Sequence, residues 1–251
     1  MKIEGKRVII TGAASGIGKA LAHAFFEKGA SIVLGDLNEK GVMETAKGVQ
    51  GKGKKIDVSK EDEIKSLIDL ANEEYGGVDI FCSNAGVLGE FGLLEITQES
   101  WLETLSINTM SHVYAAKHCL PQMLERGSGY LMITSSAAGL LTQIGAAPYS
   151  VSKHAALGFA EWVAITYGEK GIGVSCLCPQ AVKTAMTEKG AGVAGVDGMI
   201  EAEDCALKVI EGIEEEKFLI TPHPEVLEYI KRKTSDYDRW IKGMQRLQNQ
   251  Y

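Results

Sequence analysis

The chain carries no excess of positive charge: 26 lysines and arginines stand against 33 aspartates and glutamates, a formal net charge of −7. That balance has the wrong sign for neutralising a phosphate backbone, so nucleic acid is not expected as a partner. Cysteine is sparse too. Five residues, an odd number with no ladder of spacings, give no disulfide framework and fit a reduced, cytoplasmic compartment. Long apolar runs are also missing. The one extended uncharged stretch, between Arg126 and Lys153, is broken by Gly127, Gly129, Ser135, Ser136, Gly139, Gly145 and Pro148. It cannot form the ~20-residue apolar helix that spans a bilayer. The N-terminus holds basic charge but only a short apolar segment before Thr11-Gly12, so no signal peptide is expected.

What is present is the make-up of a soluble globular protein, 45% hydrophobic and 24% charged. Short Val/Ile/Leu runs, expected as strands at 7–10, 31–34, 55–58, 78–82, 130–133, 174–177 and 218–220, alternate with amphipathic stretches. Helices are expected at 16–28, 39–49, 61–75, 98–126, 152–169 and 202–215. Apolar strands separated by helical crossovers imply a doubly wound parallel α/β sheet of about seven strands, with helices on both faces. No linker interrupts the pattern, so one domain over 1–251 is expected, with a core at about 5–221 and a helical extension at about 222–251. In that tail Tyr237, Trp240, Ile241, Met244 and Leu247 recur at helical spacing behind a Ser235-to-Asp238 capping box.

The first strand runs into Thr11-Gly12-Ala13-Ala14-Ser15-Gly16-Ile17-Gly18, which opens a helix. Glycines there let a pyrophosphate approach free N–H groups where the helix dipole favours negative charge. Glycine also serves ordinary turns, so the cluster alone is weak evidence. Context strengthens it: the second strand ends in Gly35-Asp36, a carboxylate about 20 residues on that can accept from both ribose hydroxyls of an adenosine. With Ser15 before Gly16 and Leu37 after Asp36, no cation is placed to pair with a 2′-phosphate, and NAD is favoured over NADP. The competing reading makes Asp36 a cap for the helix that follows.

Two pairs match Tyr-x-x-x-Lys: Tyr149 with Lys153, and Tyr229 with Lys233. The spacing is common by chance, and the surroundings decide between them. Tyr149 follows the uncharged loop and opens a helix rich in small residues, which puts its hydroxyl and the Lys153 ammonium one turn apart. Tyr229 precedes Lys231-Arg232-Lys233 and is read as solvated surface. An adjacent cation is what a phenol needs to act as a base near neutrality. Ser136, in Ile133-Thr134-Ser135-Ser136, reaches the same sheet edge, where its hydroxyl can hold a carbonyl oxygen. A serine hydrolase is disfavoured, since no Gly-x-Ser-x-Gly elbow is present and His154 points away from Tyr149.

In this order, Gly12/Gly16/Gly18, Asp57-Val58, Ser83-Asn84-Ala85-Gly86, Asn108, Ser136, Tyr149-x-x-x-Lys153 and Pro179-Gln180-Ala181-Val182-Lys183-Thr184 resemble the short-chain dehydrogenase/reductase family over roughly residues 5–220. The resemblance implies a Rossmann fold and a catalytic core of Ser136, Tyr149 and Lys153, with Asn108 holding a proton-relay water. It implies that Asp57 and Val58 line the adenine, that Asn84, Ala85 and Gly86 pass beneath the cofactor, and that Val182 and Thr184 hold the nicotinamide carboxamide. Gly12, Ser15, Gly16, Ile17, Gly18, Asp36, Leu37 and Pro179 complete the expected cofactor set. Two departures stand out: Pro179-Gln180 replaces the usual Pro-Gly, and Ser83 replaces an asparagine.

The activity so implied is reversible oxidation of a secondary alcohol to a ketone, with Tyr149 exchanging the proton and NAD the hydride. No metal is expected: Cys176 and Cys178 read as buried structural thiols, and His112 and His118 lack partners for a tetrahedral site. Gly190, Gly192, Gly195 and Gly198 suggest a substrate lid. Substrate contacts are expected from Ala138, Gln143, Gln180 and Met186, and a small neutral alcohol or ketone is favoured because none of the five arginines is placed in reach. Family likeness favours a homotetramer built on helices 98–126 and 152–169. Two other readings stay open: an NAD-binding sensor or scaffold without turnover, and an epimerase or dehydratase that uses NAD transiently.

Overall fold

The structure, a computed structural model, describes residues 1–188 and 190–250. Seven parallel strands run β1 (Arg7–Thr11), β2 (Ser31–Asp36), β3 (Lys52–Lys55), β4 (Ile80–Ser83), β5 (Gly129–Thr134), β6 (Ile172–Leu177) and β7 (Leu219–Ile220). They pair in the order β3-β2-β1-β4-β5-β6-β7. Buried on both faces, the central strands need helices on both sides. On one side α1 (Gly16–Glu27), α2 (Glu39–Gly48) and α8 (Ala202–Glu214) pack Leu21, Phe25, Val42 and Val209 against the sheet. On the other, α3 (Glu61–Tyr75), α5 (Ser111–Arg126) and α7 (Ala147–Tyr167) pack Leu67, Ala115, Cys119 and Ala160. The doubly wound sheet of the sequence reading is therefore the fold.

The chain departs from the expected elements at three places. The third strand lies at Lys52–Lys55 rather than 55–58, paired with Val33 through Asp36. It is an edge strand of lysine and glycine, a composition that protects an open edge and hides a strand from any search for apolar runs. Ile56, Asp57 and Val58 instead follow the strand and turn over the end of the sheet. The expected helix at 98–126 is α4 (Gln98–Leu105) and α5 joined by a single π-turn, Ser106–Met110. In the tail, α9 (Glu225–Ser235) runs through Ser235, and α10 (Tyr237–Gln248) is capped by Asp236, which accepts from the Arg239 N–H at 2.9 Å. The expected Ser235-to-Asp238 capping box is therefore absent: Ser235 ends α9, and Asp236 alone caps α10.

Strand order reverses between β1 and β4, and their carboxyl ends diverge into a crevice, the place where open α/β sheets bind ligands. The loops after β1 to β6 converge there.

Candidate active site

The crevice holds a cavity of about 400 Å³ lined by residues that follow each strand: Gly12, Ser15, Gly16, Ile17 and Gly18 after β1, Asp36 and Leu37 at β2, Asp57 and Val58 beyond β3, and Asn84, Ala85 and Gly86 after β4. Tyr149 and Lys153 from α7, and Pro179, Val182 and Thr184 beyond β6, close it. Every residue expected to touch the cofactor thus lies on one surface. The cradle is tight: a Cβ on Gly18 would sit 2.0 Å from the Gly12 carbonyl oxygen, so only glycine lets the helix start this close to the strand. Asn84 stitches the floor together, its amide donating to the Thr11 carbonyl at 3.1 Å and accepting from the Thr134 hydroxyl at 3.0 Å.

Asp36 accepts from the Ala14 N–H at 2.9 Å through one oxygen and from the Asn38 N–H at 2.8 Å through the other. The cap of α2 is Asn38, whose own side chain accepts from Gly41 N–H at 3.1 Å. The competing role for Asp36 therefore falls to its neighbour, while each Asp36 oxygen keeps a lone pair toward the cavity.

Tyr149 and Lys153 are buried on one face of α7, the Lys153 ammonium 5.7 Å from the Tyr149 ring centroid and donating to the Thr134 carbonyl at 3.0 Å. Burial pushes this ammonium down to about 8. Burial also pushes the Tyr149 phenol above its ordinary value, against the opposing pull of the Ser136 hydroxyl. Among the protein's own groups, desolvation governs both, disfavouring the phenolate and the ammonium alike. Ser136, at the end of β5, accepts from the Ala138 N–H at 3.1 Å.

Asn108 does not line this cavity. It is fully buried in the π-turn, accepting from the Val87 N–H at 2.8 Å and donating to the Val87 carbonyl at 2.8 Å and the Ser152 hydroxyl at 3.0 Å. Its side chain braces the segment after β4 against α7. The turn brings it beside Lys153: a Cβ on Gly86 would lie 3.2 Å from the Asn108 oxygen and 3.3 Å from the Lys153 nitrogen.

A second cavity, about 590 Å³, opens beside the first, and Ser136 and Gln180 line both. Ala138 and Gln143 line it as expected; Met186 lines the nucleotide cavity instead, because the short helical turn Ala185–Thr187 folds back over it. Gln180 is held by its own N–H on His223 Nδ1 at 3.2 Å and by its amide on Asp197 at 3.0 Å, while its side-chain oxygen is buried and unpaired among the described residues. The glycine-rich segment contributes Val193, Ala194 and Val196 to the wall. It is tied down by the Ala181 N–H to the Ala194 carbonyl at 3.1 Å and by Asp197, which also accepts from the Tyr229 hydroxyl at 2.9 Å.

The far wall is the tail, and here two sequence expectations are overturned. The Tyr229/Lys233 pair is not solvated surface: Lys233 is 8% exposed and donates to the Leu140 carbonyl at 2.5 Å, and Tyr229 lines the cavity. The arginines are not out of reach either. Arg232, Arg239 and Arg246 all line this cavity, because α9 and α10 fold back over α6 (Ala138–Leu141), and a helix beyond the last strand gives no local sign of where it docks. Trp240, Met244 and Leu247 from the tail stripe line it as well, whereas Tyr237 and Ile241 stay exposed.

Among the described residues no three His, Cys, Asp or Glu side chains gather as a metal site. All five cysteines are free and buried. No helix among them is long and apolar enough to cross a membrane.

A family model described as short chain dehydrogenase matches residues 6–191. The chain is 34% identical over 230 residues to the 1-deoxy-11-beta-hydroxypentalenate dehydrogenase of Streptomyces exfoliatus, across 88% of this chain and 84% of that one. It is 34% identical over 226 residues to a 17-beta-hydroxysteroid dehydrogenase of Mus musculus, across 87% of this chain and 74% of that one. Among solved structures, a short chain dehydrogenase/reductase from Burkholderia phymatum in complex with NAD superposes with a TM-score of 0.87 at 28% identity, over 95% of this chain and 96% of the other.

Proposed function

The chain belongs to the short chain dehydrogenase family and is an oxidoreductase, and from that premise we propose that it interconverts a secondary alcohol and a ketone with NAD as its redox partner. The observation that carries the reading is the position of Ser136, which lines both cavities beside Tyr149 and so stands where a substrate oxygen meets a bound dinucleotide. The glycine cradle fits a dinucleotide, and Gly12, Gly16, Gly18, Asp36, Asp57, Asn84 and Thr184 are the residues to hold it; when bound, the dinucleotide supplies the two-electron acceptor or donor. The similar protein that holds NAD, together with the Asp36 carboxylate, supports NAD over NADP.

In this reading Tyr149 takes the carbinol proton during oxidation and returns it to the oxygen during reduction. Burial holds the phenol protonated at rest, ready to donate to a ketone, and for oxidation that proton must first leave to solvent. Ser136 steadies the oxygen as its charge changes. Lys153, still a cation at neutral pH, faces the ribose side of the cradle, and Asn108 fixes the segment against which Lys153 packs. The names of the two similar dehydrogenases each carry a hydroxyl group, in keeping with an alcohol substrate.

The catalytic unit includes the tail, since α9 and α10 supply one wall of the substrate cavity. A homotetramer and a cytoplasmic location belong to the same proposal, supported by exposed Val151, Trp162 and Ile165 on α7 and by the free cysteines. A panel of secondary alcohols and ketones scored by NADH absorbance tests the activity. NAD binding with no turnover of any member would favour a sensor, and NAD retained through repeated turnovers would favour an epimerase.

A further inference from the structure

The chain has five arginines, and their distribution is uneven. Arg7 and Arg126 both pair with Asp79, at 2.6 and 3.7 Å. The other three, Arg232, Arg239 and Arg246, all line the 590 Å³ cavity, and no aspartate, glutamate or lysine lines it with them. In a protein of net charge −7 with 33 acidic residues, that separation of sign is not a sampling of the surface. Among the described residues none of the three makes a salt bridge, although the neighbouring Lys231 pairs with Glu228. Like charges gathered on one rim repel; Glu228 and the Tyr229 ring offset part of that for Arg232, and a bound anion would offset the rest.

The placement is built by the tail. Arg239 and Arg246 stand seven residues apart, two turns of α10 on one face, with Gly243 between them on the same face. Gly243 leaves the space between the two guanidiniums open, its nearest outside neighbour being the Arg246 guanidinium, 3.9 Å from where a Cβ would lie. Arg232 joins them from α9, its guanidinium 5.7 Å from the Tyr229 ring centroid, a stacking contact that orients the planar fork. The rest of the wall is mainly apolar, from Leu141, Val193, Trp240 and Leu247, with Gln143 and Gln180 as polar interruptions.

Building on the dehydrogenase reading, we infer that the substrate is an amphipathic oxyanion. Its alcohol or ketone sits at Ser136, an apolar body fills the middle of the cavity, and a carboxylate or phosphate at its far end is held by Arg232, Arg239 and Arg246. Guanidinium forks suit both anions, through paired hydrogen bonds to two oxygens. The inference replaces the neutral substrate drawn from the sequence, and it assigns to α10 a role in specificity.

The test uses the NAD-loaded protein and three matched probes: a medium-chain (ω−1)-hydroxy fatty acid, its methyl ester, and the corresponding (ω−1)-hydroxyalkyl phosphate. Calorimetric affinity and kcat/KM are both measured, at low and at high salt. The acid or the phosphate is expected to bind at least tenfold more tightly than the ester, and whichever anion leads identifies the end group. The double variant Arg239→Gln/Arg246→Gln is expected to bring the ratio near one without altering NAD affinity, and salt to narrow it in the wild type. A ratio near one in the wild type, no binding of any probe, or a preference that survives both substitutions overturns the oxyanion site. Anion-selective binding without turnover of any alcohol upholds the oxyanion site and counts against the dehydrogenase reading instead.

Discussion

The Lys233 ammonium, on a helix beyond the last strand, donates to the carbonyl of Leu140 at 2.5 Å, four residues after Ser136. Through this bond and the packing of Val226 against Ala137 and Leu141, the tail is fastened to the segment that carries Ser136. A lysine this buried has little water left, and the carbonyl is its compensation.

Replacing Lys233 with Met leaves the Leu140 carbonyl without its donor, which costs about 1–3 kcal/mol. Urea unfolding is expected to show that loss, and steady-state kinetics a several-fold rise in KM for the alcohol with little change in KM for NAD. An unaltered alcohol KM would detach the tail from the substrate site.

Asp36→Ala removes the carboxylate facing the ribose end of the cradle and should narrow the preference for NAD over NADP by about tenfold, the scale of one charged hydrogen bond. Comparing kcat/KM for the two dinucleotides checks it. An unchanged ratio would mean that Asp36 serves only the Ala14 and Asn38 amides.

His112 sits fully buried beneath the site, sharing a 2.7 Å hydrogen bond with Ser83, and burial pushes its imidazole down to about 3. The unfolded chain, with its histidine near 6.5, binds the proton that the folded protein refuses. Stability is therefore lost as pH falls below about 6.5, at about 1.4 kcal/mol per pH unit and about 2 kcal/mol by pH 5. His112→Gln lacks that slope, so the difference in unfolding free energy between wild type and variant should shrink as pH drops from 7 to 5. A constant difference would contradict the buried neutral imidazole.

The nucleotide half of the site could be read from sequence because its chemistry is local. Gly12, Gly16 and Gly18 are dictated by one strand-to-helix turn, Asp36 by the end of one strand, and Tyr149 and Lys153 by one turn of one helix. The substrate half could not, because it is made by docking. Arg232, Arg239 and Arg246 read as solvent-facing charges on an amphipathic tail, and only the fold of α9 and α10 over α6 brings them to the rim of the cavity that Ser136 lines. β3 escaped for a different reason: edge strands shed the apolar pattern by which strands are recognised. Asn108 was found by resemblance, yet its bracing of Val87 and Ser152 depends on a π-turn that helical periodicity does not announce.

In the proposed reaction the Tyr149 phenol moves the substrate proton beside a bound dinucleotide. Its most direct test is the rate of NADH formation by Tyr149→Phe with the best alcohol of the panel, alongside NAD affinity measured by calorimetry. The account expects kcat to fall by about a hundredfold or more, with NAD binding nearly unchanged. A variant that keeps more than a tenth of the wild-type rate contradicts it.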